Sequence, residues 1–257
     1  MKVLVTGAGG FLGRGLIVPF VGRHELRLMD VAAFESPGHE VIIGSVADLA
    51  TVRRAVQGCD AIIIAHMASR QAGAYETPEV PFDANVKGTA NLFFAAVEEG
   101  IQRIVLVSSS GVVHDAEHGG RFLCRDLPFS SRGIYGLTKV CQEMIAEQYH
   151  REHGLRVAVL RLGYIVDADA GADKYGKPVR ERNWQMNDRR DIGAIAMAAL
   201  ECEDLQWEIF YTMCTDESMV HADTLYTRRR LGWTPKYRFK HLPPCKPMRE
   251  IFGNDYP

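Results

Sequence analysis

Apolar positions along this chain fall into two alternating patterns. Short, nearly continuous runs rich in β-branched residues are Lys2–Thr6, Glu25–Met29, Glu40–Ile43, Ala61–Ala65, Arg103–Val107 and Arg156–Leu160. Between them, apolar residues recur every three to four positions, the period of a helix with one buried face. Most of the runs are too continuously apolar for half-exposed antiparallel strands, and so predict parallel strands covered on both sides. Helices are expected to begin near Gly10, Asp48, Val80 and Gly133. Asp48 has the chemistry of an N-cap, with Leu49, Val52, Ala55 and Val56 following at helical spacing. The pattern predicts an α/β chain built on a doubly wound parallel sheet.

After Leu162 the regularity loosens. Tyr164 to Arg182 holds two glycines, a proline and many charges, which predicts a loop over a site. A helix near Asp191, a strand at Glu208–Thr212 and a last helix from Ala222 to Leu231 restore order before an irregular tail from Pro235. This divides the chain into a sheet domain over residues 1–165 and a small lobe over 166–257 that returns elements to the sheet.

Composition narrows the function classes. Of the 257 residues, 47% are hydrophobic and 24% charged, the balance of a folded globular protein. The formal charge of −2 offers no basic field for nucleic acid or an anionic membrane. No apolar run is long enough to span a bilayer, and no export signal is expected at the N-terminus. The six scattered cysteines form no Cys-x-x-Cys pair, so free thiols in a reducing cytoplasm are expected.

The candidate chemistry begins where the first strand ends, at Gly7-Ala8-Gly9-Gly10-Phe11-Leu12-Gly13. A strand, three glycines at this spacing and a helix are what a dinucleotide pyrophosphate requires. Gly7 turns the chain, Gly10 admits the phosphates and Gly13 lets the helix approach the sheet. Asp30, closing the second strand, is placed to accept hydrogen bonds from a ribose diol and to repel a 2′-phosphate, which favours NAD over NADP.

A second motif, Tyr135-Gly136-Leu137-Thr138-Lys139, puts a phenol and an ammonium on one helical face. A free phenol, with a pKa of about 10, is a poor base at neutral pH. A neighbouring ammonium lowers that pKa and makes phenolate available. Ser108-Ser109-Ser110, after the fifth strand, supplies hydroxyls to hold a reacting oxygen. His114 and His118 have i, i+4 spacing, but Gly119-Gly120 after them predicts a mobile loop rather than a metal site. His66 is expected to be structural, facing the cofactor with its backbone.

At these motifs the chain resembles the extended short-chain dehydrogenase/reductases of the NAD-dependent epimerase/dehydratase type. Ala65-His66-Met67-Ala68, Asn85-Val86-Lys87-Gly88-Thr89 and Leu160-Arg161-Leu162-Gly163 extend the likeness. The resemblance implies a Rossmann domain with a C-terminal substrate lobe and NAD as cofactor. It implies cofactor contacts from Gly7, Gly10, Phe11, Leu12, Gly13, Asp30, Ser45, Val46, Ala65, His66, Met67, Asn85, Tyr135, Lys139 and Leu162. Catalysis falls by resemblance to Ser109, Tyr135 and Lys139, with Ser110 the alternative serine. Two helices, Val80–Val97 and Ile134–Tyr149, would pair between subunits of a homodimer or larger homo-oligomer.

Within that family the chain is most like the uronate dehydrogenases, through Tyr-Gly-x-x-Lys, Trp184 to Asp188, and Leu231-Gly232-Trp233-Thr234-Pro235. The likeness implies oxidation of a sugar or sugar-acid hydroxyl, the anomeric one on C1 as in those enzymes. Substrate contacts are expected from Ser69, Arg70, Ser110, Tyr164, Arg180 and Arg182. Some positions depart from the pattern. Ser45-Val46 stands where an acid and an aliphatic residue meet adenine, Val113 replaces a common tyrosine, and Ser110-Gly111 stands where Asn-His follows the serines. A nucleotide-sugar epimerase or dehydratase with tightly held NAD is the alternative, which the short C-terminal part disfavours. A non-catalytic dinucleotide sensor would have no chemical need for Ser109, Tyr135 and Lys139.

Overall fold

Strand by strand, the continuous apolar runs become the centre of a parallel sheet. The computed structural model describes residues 1–68 and 75–245. In chain order, β1 (Lys2–Thr6), α1 (Phe11–Leu16), β2 (Glu25–Asp30), β3 (Glu40–Ile43), α2 (Leu49–Val56) and β4 (Ala61–Ile64) form the first half of the fold. Next, α3 (Glu79–Pro81) passes through a π-helical stretch, Phe82–Lys87, into α4 (Gly88–Glu99). β5 (Arg103–Ser109), a 3-10 turn, α5 (His114–His118), α6 (Gly133–His153) and β6 (Arg156–Leu162) follow. The remainder holds β7 (Tyr164–Asp167), β8 (Ala172–Asp173), β9 (Met186–Asp188), α7 (Arg189–Glu201), β10 (Trp207–Tyr211) and α8 (Thr224–Arg230).

Among the described residues the main sheet has the order β10-β6-β5-β4-β1-β2-β3, and every pairing is parallel. The period of two assigns side chains to its faces. Val3, Val5, Ala61 and Ile63 join a core with Leu16 of α1 and Ile192 and Ile195 of α7. Leu4, Ile62 and Ile64 point the other way, onto Val52 of α2, Leu92 and Phe93 of α4 and Ala146 of α6. Each of the valine, leucine, isoleucine and phenylalanine side chains among them stabilises the fold by roughly 1.5–3 kcal/mol on full burial. Strand order reverses beside β1, so the carboxyl ends of β1 and β4 open the crevice where open α/β sheets bind ligands.

Asp48 caps α2 as its sequence predicts, accepting from the backbone N–H groups of Ala50 and Thr51. Two expectations are corrected. The segment Tyr164–Arg182 is not simply a loop: β7 pairs with β8 and β9 in a small second sheet, because Asp173 accepts from the N–H groups of Tyr175 and Lys177 and closes a turn. His114–His118 is a helix rather than mobile loop. Val113 and Ala116 anchor it in a third core cluster with Leu123, Met213 and Ala222. No helix among the described residues is long and apolar enough to cross a membrane.

Candidate active site

The glycine turn sits at the end of β1, and its geometry excludes side chains where the sequence has none. Gly7 has φ +70°, and a Cβ there would lie 2.8 Å from the Cα of His66. A Cβ on Gly13 would lie 2.3 Å from the carbonyl oxygen of Gly7. Gly10, by contrast, would meet protein only at that same oxygen, 3.3 Å away. The first turn of α1 leaves the N–H groups of Phe11 and Leu12 without intrahelical acceptors. Asp30, at the end of β2, accepts from Gly9 N at 3.0 Å and Ala32 N at 3.3 Å. A cradle without Cβ atoms, a helix start and an acceptor carboxylate beside it fit a dinucleotide.

His66 is held from both sides. Its Nε2–H donates to Ala84 O at 3.0 Å, so Nδ1 is the acceptor for the Thr6 hydroxyl at 2.9 Å. The Thr6 oxygen accepts in turn from Ala65 N at 3.2 Å. Burial, reinforced by the Lys139 charge, pushes the His66 pKa down to about 3. The imidazole is therefore neutral and its ring is tied into the fold. Val46 is buried against Gly88 and its carbonyl accepts from Asn91 at 2.9 Å, while Ser45 Oγ accepts from Ala47 N at 3.2 Å.

Asn85 lies in the π-helical stretch and is fully buried. Its Oδ1 accepts from Ala68 N at 2.7 Å and its Nδ2 donates to Thr138 Oγ1 at 2.9 Å. Thr138 donates onward to Tyr135 O at 2.8 Å, so one buried amide ties the segment after β4 to the first turns of α6. Met67 is half-buried in that segment, and Leu162 is buried at the end of β6. Tyr75 reaches over the same ground, its hydroxyl donating to Ala68 O at 3.0 Å and its ring meeting Tyr135 edge-on at 5.8 Å.

Tyr135 is half-buried and Lys139, one turn further along α6, is buried. The Lys139 ammonium donates to Val107 O at 2.8 Å, beside the serines that end β5. The three serines have separate surroundings. Ser108 is buried and donates to Glu143 Oε1 at 2.5 Å. Ser109 is partly exposed and its oxygen accepts from Gly111 N at 3.2 Å, which leaves it a proton to donate. Ser110 donates to Glu117 Oε1 at 3.2 Å. The serine turn meets α6 closely, since a Cβ on Gly136 would stand 3.7 Å from Gly111 O.

Below this edge, Arg161 and Glu143 form a buried two-pronged ion pair at 2.8 and 3.2 Å. Burial opposes the Arg161 charge, but Glu143 outweighs it and raises the pKa. Arg161 also donates to the Tyr211 hydroxyl at 3.1 Å.

The expected substrate residues are distributed unevenly. Ser69 and Arg70 lie outside the described residues. Tyr164 donates to Asp173 at 2.8 Å, and burial, with that carboxylate, raises its pKa to about 12. Arg180 is exposed. Arg182 is turned to the tail: it pairs with Glu217 at 2.5 Å and donates to Leu242 O at 3.2 Å. Its guanidinium is committed to Glu217 and the Leu242 carbonyl, both brought beside it by the packing of distant segments. Sequence reasoning missed Glu117 and Gln185, whose amide also donates to Glu117 Oε1. Glu117 was hidden in a charged stretch, and Gln185 is 68 residues away, so only folding joins them.

Comparison with known proteins now adds to the geometry. The model of the NAD dependent epimerase/dehydratase family matches residues 3–174. The chain belongs to that family. It is an NAD-dependent oxidoreductase of the short-chain dehydrogenase/reductase type, acting on CH–OH groups. An NAD-dependent glucose-6-phosphate dehydrogenase of Haloferax volcanii is 27% identical over 258 residues, covering 91% of this chain and 92% of that one. A 3 beta-hydroxysteroid dehydrogenase/Delta 5-->4-isomerase of Mycobacterium tuberculosis is 34% identical over 172 residues, covering 62% of this chain and 46% of that one. Among solved structures, a uronate dehydrogenase mutant from Agrobacterium tumefaciens, complexed with NAD, is 25% identical with a TM-score of 0.74, covering 96% of this chain and 91% of that one.

Proposed function

We propose that this family member oxidises a hydroxyl of a sugar or sugar acid with NAD as acceptor. The supporting observation is the extent of the likenesses. The match to the glucose-6-phosphate dehydrogenase runs over 91% of the chain, whereas the steroid enzyme matches 62% of it and less than half of itself. The first likeness extends over nearly the whole of both chains, whereas the second leaves more than a third of this one unmatched.

Gly7, Gly10, Phe11, Leu12 and Gly13 would hold the pyrophosphate of the cofactor, and Asp30 its adenosine ribose. Ser45 and Val46 would border the adenine. Ala65, the backbone of His66, Met67, Asn85 and Leu162 would line the rest of the crevice, with Tyr135 and Lys139 at its reacting end. NAD, when bound, supplies the hydride acceptor. Tyr135 takes the proton of the reacting hydroxyl at its phenol oxygen. Lys139, fixed by the Val107 carbonyl, is placed to stabilise the phenolate through its charge. Ser109 has an unshared proton with which to orient the substrate oxygen, and Ser110 is the alternative. Replacing each by Ala separates them: kcat falls about 10- to 1000-fold for the serine that holds the reacting oxygen, and less for its neighbour.

Phe94 on α4 and Leu137 and Met144 on α6 are exposed apolar residues, which supports pairing of two copies through these helices. The free thiols fit a cytoplasmic setting. The deciding experiment follows NADH formation over hexuronic acids and neutral aldoses. Turnover of either class supports the reading. Silence across the panel, from protein that purifies with NAD bound, would favour a nucleotide-sugar epimerase or dehydratase, which returns its hydride.

A further inference from the structure

One carboxylate stands beside the serine edge and has no part in the chemistry above. Glu117 projects from α5, the five-residue helix that directly follows the serine turn. Its Oε1 receives two donors, the Ser110 hydroxyl at 3.2 Å and the Gln185 amide. Among the described residues no hydrogen bond is made to Oε2. The residue is only partly exposed, and α5 is anchored by buried Val113 and Ala116. Gln185 is itself fixed, with its carbonyl accepting from Tyr164 N at 2.8 Å and Asn187 at 2.6 Å. The carboxylate is therefore held in one orientation by two elements far apart in sequence, and it is bonded to Ser110, the neighbour of the serine proposed to hold the reacting oxygen.

We propose that Glu117 determines specificity by accepting a hydrogen bond from a hydroxyl on the carbon next to the reacting one. The substrate is then a vicinal polyol, not an isolated alcohol on an apolar frame. The inference rests on the sugar-dehydrogenase reading and deepens it. Two donors on Oε1 leave Oε2 as an acceptor, and an acceptor in a half-buried place is matched by a hydroxyl and mismatched by a C–H group. Ser110, whose proton goes to Glu117, presents only lone pairs to the same neighbour. An apolar ring with one hydroxyl, as in a sterol, would leave Glu117 Oε2 desolvated and unpaired. A site built to bond a substrate hydroxyl rejects the analogue that lacks it far more strongly than an apolar pocket rejects a missing methylene.

The test compares kcat/KM for D-glucose and D-galactose with their 2-deoxy counterparts, in the wild type and in Glu117→Ala. The wild type is expected to prefer the hydroxylated sugar by about 10- to 100-fold. In Glu117→Ala that preference collapses, because the sugar loses its acceptor while the 2-deoxy sugar is relieved of the unpaired carboxylate. Should the enzyme take only uronic acids, D-glucuronate and its C2 epimer D-mannuronate replace the pair, with the same collapse expected. A wild type blind to the C2 substituent would overturn the inference and leave the dehydrogenase reading standing. So would a Glu117→Ala variant in which both rates fall together, the mark of a brace between α5 and the segment before β9. If that variant does not fold, Glu117→Gln keeps the shape and is expected to narrow the preference several-fold; an unchanged ratio is then the adverse result. No turnover of any sugar would remove the dehydrogenase reading itself, and this inference with it.

Discussion

Tyr135 and Lys139 illustrate how much a single side chain owes to its surroundings. Four positions apart on α6, they share a face by helical geometry alone. That Lys139 is buried and bonded to Val107 O is decided by β5, which brings a strand carbonyl to within 2.8 Å of the ammonium. Replacing Tyr135 by Phe removes only the phenol oxygen. Turnover is expected to fall by at least about 100-fold, the contribution of a positioned general base, while NAD affinity measured by protein fluorescence stays within a few-fold. Retention of most activity would show that the proton leaves by another route.

At the scale of elements, α6 is fastened to the sheet at more than one level. Asn85 and Thr138 fix its first turns to the segment after β4, and Glu143, a turn beyond Lys139, binds Arg161 of β6 and Ser108 of β5. Glu143→Ala would leave the Arg161 guanidinium buried without its carboxylate. Such a loss costs about 3–5 kcal/mol, measurable as a lower urea midpoint. Exchanging both partners for apolar residues of similar volume is expected to cost much less, because no buried charge is then left alone. The Arg161 motif is legible in the sequence, but its partner is not: Glu143 occupies an ordinary helical position, and 18 residues separate the two.

Across the whole molecule, His66 links folding to pH. Its pKa is about 3 in the folded state against 6.5 as the ordinary value, so the unfolded chain binds more protons between those limits. Stability therefore falls as pH drops through that window and is unaffected by this residue above it. From pH 7 to pH 5 the His66 share of the loss is about 2 kcal/mol. His66→Gln should flatten the pH dependence of urea unfolding by that amount, even if it lowers stability at pH 7. An unchanged slope would mean that the imidazole accepts a proton in the folded state.

The amino-acid order alone sets the alternation of strands and helices, the glycine turn, the acid at the end of β2 and the Tyr-Lys face. Each rests on local rules: the period of apolar positions, backbone space at glycine and the pitch of a helix. It did not determine what Arg182 binds, because the Glu217 carboxylate that takes its charge and the Leu242 carbonyl, 60 residues further on, reach it only through folding. Nor did it show that Tyr164–Arg182 folds into strands, since turns closed by Asp173 override a loop-like composition. The separate surroundings of Ser108, Ser109 and Ser110, identical in sequence type, came from strand alternation set against three different neighbours. Glu117 became a site residue only when α5 and the segment before β9 met. Local chemistry fixes which groups are present, and packing between distant elements decides which of them face one another.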